Sequence, residues 1–260
     1  MRVKERQRRG EGRGQVRRLR TMLDRRWTDP LPIHAWLVDH PEGAILVDTG
    51  ETARTAEPGY FPRWHAYFRF AIRVAVAADE ELGPELGRVG VAVDDIRWVV
   101  LTHMHTDHAG GLEHVRDREV LVSERELADA RGFMGQMRGY LPHRWPDGVR
   151  FAPVAFEDRP YGPFPHSRPL TSAGDVHLVA TPGHTPGHLA VVVEDGDRRV
   201  VLAGDASYTE QAMLDGAADG VAPDVRQAEE TLRLMRELTS QAPTVYLPSH
   251  DPDSEARLRA

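Results

Sequence analysis

The feature that most constrains this chain is a cluster of three histidines and one aspartate within six positions. His103 and His105 directly follow residues 97–102, an apolar stretch that we predict to be a strand, and Asp107 and His108 come next. Side chains two positions apart on an extended segment project to the same side, so His103 and His105 can bind one ion together. Asp107 and His108 follow the start of a turn and can serve a second ion. Imidazole and carboxylate ligands suit a borderline ion such as zinc.

Further candidate ligands lie downstream, each after an apolar run and at a loop marked by Gly or Pro. They are His184 in TPGHTPGH, Asp205 in LAGDASY and His250 in YLPSHD. Asp48, in LVDTG, is a candidate hydrogen-bond acceptor for a ligand imidazole, with a polar cap at a strand end as an equal alternative. His188 lies four positions after His184, and we expect it to have a structural role.

Composition indicates an ordinary globular protein. The 260 residues, 40% hydrophobic and 28% charged, suffice for one large domain or two small ones. The absence of cysteine excludes disulfides and thiolate metal ligands. No apolar run approaches the roughly 18–20 residues that span a bilayer. The Arg-rich N-terminus has no apolar segment behind it, so we predict no secretory signal and expect a cytoplasmic protein.

The net charge of −7 is unevenly distributed. Residues 1–26 contain eleven Arg or Lys against three acids, so this segment carries +8 and the remainder −15. We predict a basic, flexible N-terminal tail over 1–26 and a single folded domain over 27–260. A basic tail could contact nucleic acid, but the acidic body and the lack of aromatic partners in the tail argue against that interpretation.

Apolar patterning predicts many short strands with helices between them. A hairpin is predicted over 33–39 and 44–48, and further strands over 97–102, 119–123, 176–180, 189–194, 199–204 and 243–247. Helices are predicted over 79–88 and 225–239, the second with Asp224 and Gln227 in a capping-box-like arrangement. The candidate ligands then follow strand ends, where a sheet presents functional loops.

These motifs, in this chain order, resemble those of the metallo-β-lactamase superfamily from about residue 30 to 252. The resemblance implies an α/β (α+β) fold, the αββα four-layer sandwich of that family, and two divalent metal ions per chain. It implies that one ion is held by His103, His105 and His184, the other by Asp107, His108 and His250, and that Asp205 bridges them with a water or hydroxide. Zinc is the first choice, and iron, cobalt or manganese suit the same ligands.

A narrower resemblance is to the N-acyl-homoserine lactonases, the quorum-quenching branch. It rests on the DASYT motif that follows Gly204, on the acidic loop and helix after it, and on the ten residues beyond His250. It implies that a metal-bridging hydroxide opens a lactone ring. Tyr208 would contact the lactone, with an ordinary strand-end tyrosine as the alternative, and Asp107 would carry a proton to the leaving oxygen.

The sequence leaves open which residues contact the substrate and which activity the chain has. An acyl channel could be lined by the aromatic residues at 60–70 with Phe133, Met134, Met137, Tyr140 and Trp145, or these residues could be ordinary core. The aromatics at 60–70 could also form a homodimer contact. The alternatives to a lactonase are a glyoxalase II-type thioesterase, another esterase of the same fold, and a non-catalytic metal-binding interaction module.

Overall fold

The computed structural model describes residues 1–11 and 16–260, which form two compact units. Unit 1 comprises Met1–Arg2 and Ile33–Val154, and unit 2 comprises Val3–Pro32 and Ala155–Ala260. Each unit contains one five-stranded sheet. A single domain over 27–260 stays a prediction.

The described residues contain strands, α-helices and short 3₁₀ helices. In chain order the strands are β1 (Arg2–Val3), β2 (Trp36–Val38), β3 (Ala44–Val47), β4 (Ile72–Arg73), β5 (Ile96–Val100), β6 (Glu119–Ser123), β7 (Arg150–Val154), β8 (Ser167–Pro169), β9 (Val176–Ala180), β10 (Leu189–Asp195), β11 (Arg198–Gly204) and β12 (Thr244–Pro248). The α-helices are α1 (Glu5–Arg8), α2 (Arg17–Met22), α3 (Ala66–Phe70), α4 (Leu82–Arg88), α5 (Thr106–Ala109), α6 (Glu124–Arg131), α7 (Glu210–Asp215), α8 (Val225–Gln241) and α9 (Ser254–Arg259). The 3₁₀ helices are Ala53–Ala56, Ala78–Glu80, Val93–Asp95, Gly110–Val115, Gln136–Arg138 and Pro142–Arg144.

The sheet of unit 1 has the order β2-β3-β5-β6-β7. β2 and β3 form the predicted antiparallel hairpin, and β3, β5, β6 and β7 run parallel. Leu46, Val99 and Val120 from three of these strands are buried in one apolar cluster, as the strands of a parallel sheet require. Because β3 and β5 are parallel, the residues that follow them emerge at the same edge of the sheet.

The sheet of unit 2 has the order β12-β11-β10-β9-β8. β8 to β11 are antiparallel neighbours, whereas β11 and β12 are parallel, with Val201 opposite Tyr246. Helix α8 buries Leu232, Met235 and Leu238 in the apolar cluster of this sheet. The side chain of Asp224 accepts a hydrogen bond from the Gln227 amide, so the helix begins where the sequence predicts.

Some elements differ from the sequence prediction. The helix predicted over 79–88 is divided into the 3₁₀ helix Ala78–Glu80 and α4. β7 was not predicted because its sequence, RFAPV, contains a proline and lacks an apolar run. β7 is the edge strand of its sheet, and a proline is tolerated there because one side of the strand has no ladder partner.

The N-terminal segment also differs from the flexible tail expected there. In its described residues, α1 and α2 form, and the side chains of Gln7, Arg17 and Thr21 are buried. The Lys4 ammonium lies 3.7 Å from the centre of the Trp27 ring, a cation–π contact that a count of charges does not anticipate. Residues 12–15 of the predicted tail lie outside the described residues. Among the described helices, none is long and apolar enough to cross a membrane.

Candidate metal centre

The histidine cluster of unit 1 begins where buried strand β5 ends. Met104 is buried in the core and its amide donates to Glu126 Oε1 at 3.0 Å, so His103 and His105 on either side of it turn away from the core. The structure brings these two imidazoles together, with His103 Nε2 3.1 Å from His105 Nδ1. Helix α5 starts after His105 and carries Asp107 and His108.

Hydrogen-bond partners determine which ring nitrogens of His105 and His108 carry a hydrogen. His105 Nε2 lies 3.1 Å from the carbonyl oxygen of Arg138, and His108 Nδ1 lies 2.8 Å from Asp48 Oδ2. A carbonyl and a carboxylate can only accept, so these two nitrogens donate. His105 Nδ1 and His108 Nε2 therefore present lone pairs, as metal-binding imidazoles must.

Asp48 organises this half of the site from the end of β3. It is buried, adopts a φ of 63°, and accepts from the Thr102 amide at 2.7 Å and the Thr102 hydroxyl at 2.9 Å, as well as from His108. Because the Thr102 hydroxyl donates to Asp48, its oxygen can accept from His103 Nδ1, 3.2 Å away. His103 Nε2 then carries a lone pair. Asp48 thus fills both of the roles that the sequence left open, imidazole acceptor and strand-end cap.

Asp107 lies in an acidic environment. It is buried, and its Oδ1 is 4.0 Å from His108 Nε2. Burial raises the pKa of nearby Glu51 to about 8, an effect that an amide hydrogen bond from Thr52 opposes and the negative charge of Asp107 reinforces. Sequence reasoning missed Glu51, although it lies three positions after Asp48 at the same strand end. The buried negative charge of Asp107 favours a bound cation here.

In unit 2, the ends of two parallel strands bring Asp205 and His250 together. Asp205 follows β11 and His250 follows β12, and Asp205 Oδ1 lies 3.2 Å from His250 Nε2. His184, in the loop between β9 and β10, places its Nε2 3.4 Å from Asp205 Oδ2. The two oxygens of one buried carboxylate thus face two different imidazoles.

These imidazoles also have their hydrogens directed away from Asp205. His184 Nδ1 lies 2.6 Å from Asp219 Oδ2, and His250 Nδ1 lies 2.8 Å from the carbonyl oxygen of Pro32. Both partners can only accept, so each Nδ1 donates, and in the neutral imidazole that binds a metal each Nε2 then presents a lone pair on the side of the Asp205 carboxylate. Lone pairs on neighbouring imidazole nitrogens and carboxylate oxygens repel one another in a buried site unless a cation lies between them.

His188 has the structural role that we expected from its spacing. Its Nε2 accepts from the Asp205 amide at 3.0 Å, and its Nδ1 lies 2.7 Å from the Thr181 hydroxyl. One ring nitrogen thus contacts the Thr181 side chain after β9, and the other accepts from the backbone after β11. This contact holds Asp205 in place.

Tyr208 is buried beside a candidate ligand. Its ring is stacked on His250, with 5.5 Å between the ring centres and 29° between the planes. Its hydroxyl accepts a hydrogen bond of 2.6 Å from Gln7 Nε2. Sequence reasoning missed both Gln7 and Asp219. Asp219 lies in the acidic loop noted after the DASYT motif, but nothing in the sequence indicates that it contacts His184.

Residues predicted to line an acyl channel lie in different environments. Tyr60 and Trp145 line a cavity of about 450 Å³ in unit 1, to which Arg144 contributes a charge. Tyr140 is fully buried in the core, whereas the Phe133 side chain is 99% exposed. The predicted set therefore does not form one apolar surface.

The residues present fit divalent metal ions. In both units, imidazole nitrogens with lone pairs gather beside buried carboxylates, and hydrogen-bond acceptors direct the other imidazole nitrogens. Nitrogen and oxygen donors of this kind, held by a surrounding hydrogen-bond network, are typical of zinc and related ions.

Comparison with known proteins identifies the family. The model of the metallo-β-lactamase superfamily matches residues 28–250, and the chain belongs to that superfamily. A "probable metallo-hydrolase" of Mycobacterium tuberculosis is 34% identical over 206 residues, which are 76% of this chain. The chain spans only 63% of the length of that relative. An N-acyl homoserine lactonase of Bacillus thuringiensis is 28% identical over 234 residues, covering 88% of this chain and 85% of the relative.

Solved structures give the same class of fold. An N-acyl homoserine lactone hydrolase with the product N-hexanoyl-L-homoserine bound at its catalytic metal centre has a TM-score of 0.77 at 21% identity. The match covers 98% of this chain and 91% of that protein. The predicted metallo-β-lactamase fold class and the resemblance to the lactonase branch are confirmed.

Proposed function

We propose that this chain is a dinuclear metal-dependent hydrolase that opens the ring of N-acyl homoserine lactones or related lactones. The observation that carries the proposal is Asp205, a buried carboxylate whose two oxygens face lone-pair nitrogens of two different imidazoles. The lactonase relative at 28% identity supports the substrate class. So does the bound lactone-derived product in the structural relative.

In this proposal the ligand sets of the two units serve one dinuclear centre. His103, His105 and His184 would hold one ion, Asp107, His108 and His250 would hold the other, and Asp205 would lie between the two ions. A carboxylate that offers one oxygen to each side suits a bridge, because two cations close together repel and need an anion between them. Zinc is the first choice, with iron, cobalt or manganese as alternatives.

Two divalent ions in such a centre would supply a water of lowered pKa and polarise the substrate carbonyl. The protein contributes two further groups. The Tyr208 hydroxyl donates to the carbonyl oxygen and stabilises the negative charge that develops there. Asp107 accepts a proton from the attacking water and delivers it to the ring oxygen as that oxygen leaves. The product is the ring-opened N-acyl homoserine.

The surrounding acceptors hold the ligand imidazoles in the required tautomer. Asp48 fixes His108, and Asp219 fixes His184, each through a short hydrogen bond to Nδ1. Such partners orient the ring and increase its basicity towards a metal. We expect both carboxylates to contribute to metal affinity although neither is a ligand.

A pH-stat assay on metal-replete protein tests the substrate class. Homoserine lactones with acyl chains of several lengths are compared with an acyl thioester and a simple aryl ester. We expect ring opening of the lactones at the highest kcat/KM. Faster turnover of the thioester would favour the glyoxalase II-type alternative, and no turnover of any substrate would favour a binding module. Homodimer formation and a cytoplasmic location stay predictions.

A further inference from the structure

The basic N-terminal segment reaches the candidate catalytic tyrosine of its own unit. Gln7, on α1, is fully buried, and its side-chain amide donates to the Tyr208 hydroxyl at 2.6 Å across 201 positions of sequence. An amide hydrogen that occupies a lone pair of the phenol oxygen restricts how the hydroxyl can rotate. The phenolic hydrogen must then point towards an acceptor on another side of the oxygen.

Backbone contacts fix the position of Gln7. The Gly220 amide donates to the Gln7 carbonyl at 3.0 Å, and the Thr21 hydroxyl contacts the Gly220 carbonyl at 3.4 Å. A Cβ atom at Gly220 would lie 2.7 Å from Gln7 Cα, so only glycine allows this approach. The loop around Gly220 also contains Asp219, which accepts from His184.

A second set of contacts joins the N-terminal segment to the same loop. Gly10 has a φ of 63°, and a Cβ atom there would collide with the carbonyl oxygen of Ala218. The buried Arg17 guanidinium donates to the carbonyl oxygens of both Gly10 and Ala218. A buried guanidinium that satisfies two carbonyls ties the two segments together. The contact of Gln7 with Tyr208 is therefore part of a packed structure.

We propose that Gln7 is a positioning residue for Tyr208, through which the N-terminal segment controls the direction of the catalytic hydroxyl. The inference rests on the proposed function for its catalytic consequence. The hydrogen bond itself is a property of unit 2 and can be measured whether or not the protein opens lactones.

The test uses full-length protein labelled with 3-fluorotyrosine. The six tyrosines give six ¹⁹F resonances, and the one lost in Tyr208→Phe belongs to Tyr208. Gln7→Met keeps the side-chain length but removes the hydrogen-bond donor. If Gln7→Met fails to fold, Gln7→Leu is used in its place. Gln211→Met, at an exposed position of α7, is the matched control. The same proteins and the Gln7→Met/Tyr208→Phe double variant are assayed with an acyl-homoserine lactone.

We expect Gln7→Met to shift the Tyr208 resonance alone and to lower kcat by about tenfold, with KM changed less than about threefold. In the Tyr208→Phe background the same change should have no further effect on kcat. An unmoved Tyr208 resonance, or an equal loss of kcat in the Phe background, would overturn the inference. A wild-type protein that opens no lactone contradicts the proposed function instead, and the resonance comparison still decides whether Gln7 fixes Tyr208.

Discussion

The two candidate ligand sets of this protein are built in different ways. In unit 1, the candidate ligands lie within the six positions from His103 to His108. One strand followed by one short helix determines their arrangement. In unit 2, His184, Asp205 and His250 come from three separate loops. Parallel pairing of β11 and β12 brings the last two together. The first set depends on local geometry, whereas the second depends on the sheet being formed.

The hydrogen bonds that position the candidate site residues, here called accessory contacts, differ in the same way. Asp48 reaches His108 from the next strand of the same sheet and also binds Thr102, so it serves the fold and the site together. Asp219 and Gln7 reach their targets from a loop and from the N-terminal segment. The set in unit 2 thus depends on more distant parts of the chain, whereas Asp48 in unit 1 also stabilises its own strand end.

The largest effect should come from Asp205→Ala. Loss of the proposed bridging carboxylate would leave the repulsion between two cations without compensation, so activity should be abolished and metal content reduced. Metal analysis and the lactone assay measure both. Asp195→Ala, at the exposed end of β10, is the matched control. Full activity of Asp205→Ala would show that the bridge is misassigned.

Tyr208→Phe should lower kcat by roughly tenfold to a thousandfold, because in the proposed mechanism the hydroxyl donates to the developing oxyanion. Metal content should stay unchanged, since Tyr208 is not a proposed ligand. Steady-state kinetics provide the measurement, and Tyr161→Phe in the same unit controls for the loss of a tyrosine hydroxyl. If kcat were unaffected, Tyr208 would have a structural role only.

Asp219→Asn and Asp48→Asn should each weaken metal binding by about tenfold to a hundredfold, because each removes a carboxylate partner from a ligand imidazole. We also expect the two variants to differ in the stability of the metal-free protein. Asp48→Asn should also lower the melting temperature of the metal-free protein, since Asp48 accepts three hydrogen bonds at a strand end. Asp219→Asn should lower it less, since Asp219 accepts from His184 and the Val221 amide. Chelator competition and thermal unfolding test this pair, and equal losses of stability would remove the distinction.

The smallest effect concerns Glu51 in unit 1. Burial raises its pKa to about 8 in the folded protein, from an ordinary value near 4.5. The folded state therefore binds the proton more tightly, and the stabilisation is present at low pH and is lost as the pH rises from about 4.5 through 8. The melting temperature of metal-free protein should fall over that range, and less steeply in Glu51→Gln. Parallel curves for the two proteins would contradict the assignment.

The sequence predicted what local patterns encode. β6 and β9 have the predicted bounds, and α8 begins at its predicted cap, because apolar alternation and the Asp224 cap are local signals. The candidate ligands of unit 1 were likewise selected by their spacing, and their role as ligands stays a prediction. The candidate ligands of unit 2 were selected by their loop positions, and only the family resemblance groups them into one site.

The residues that make the accessory contacts could not be predicted, and the reason is physical. Gln7 and Asp219 act through contacts that exist only after distant segments pack. The basic composition of residues 1–26 indicated a solvated tail, yet Lys4 packs on Trp27 and Arg17 binds two backbone carbonyls. Charge counts cannot distinguish a solvated arginine from one that is buried with its partners.

The central claim is that the seven proposed ligands hold two divalent ions per chain, and direct elemental analysis tests it. Protein expressed with zinc and purified without chelator should contain about two ions per chain. His103→Ala and His250→Ala, one from each ligand set, should each reduce that number. A content below about half an ion per chain in metal-replete wild-type protein would contradict the account.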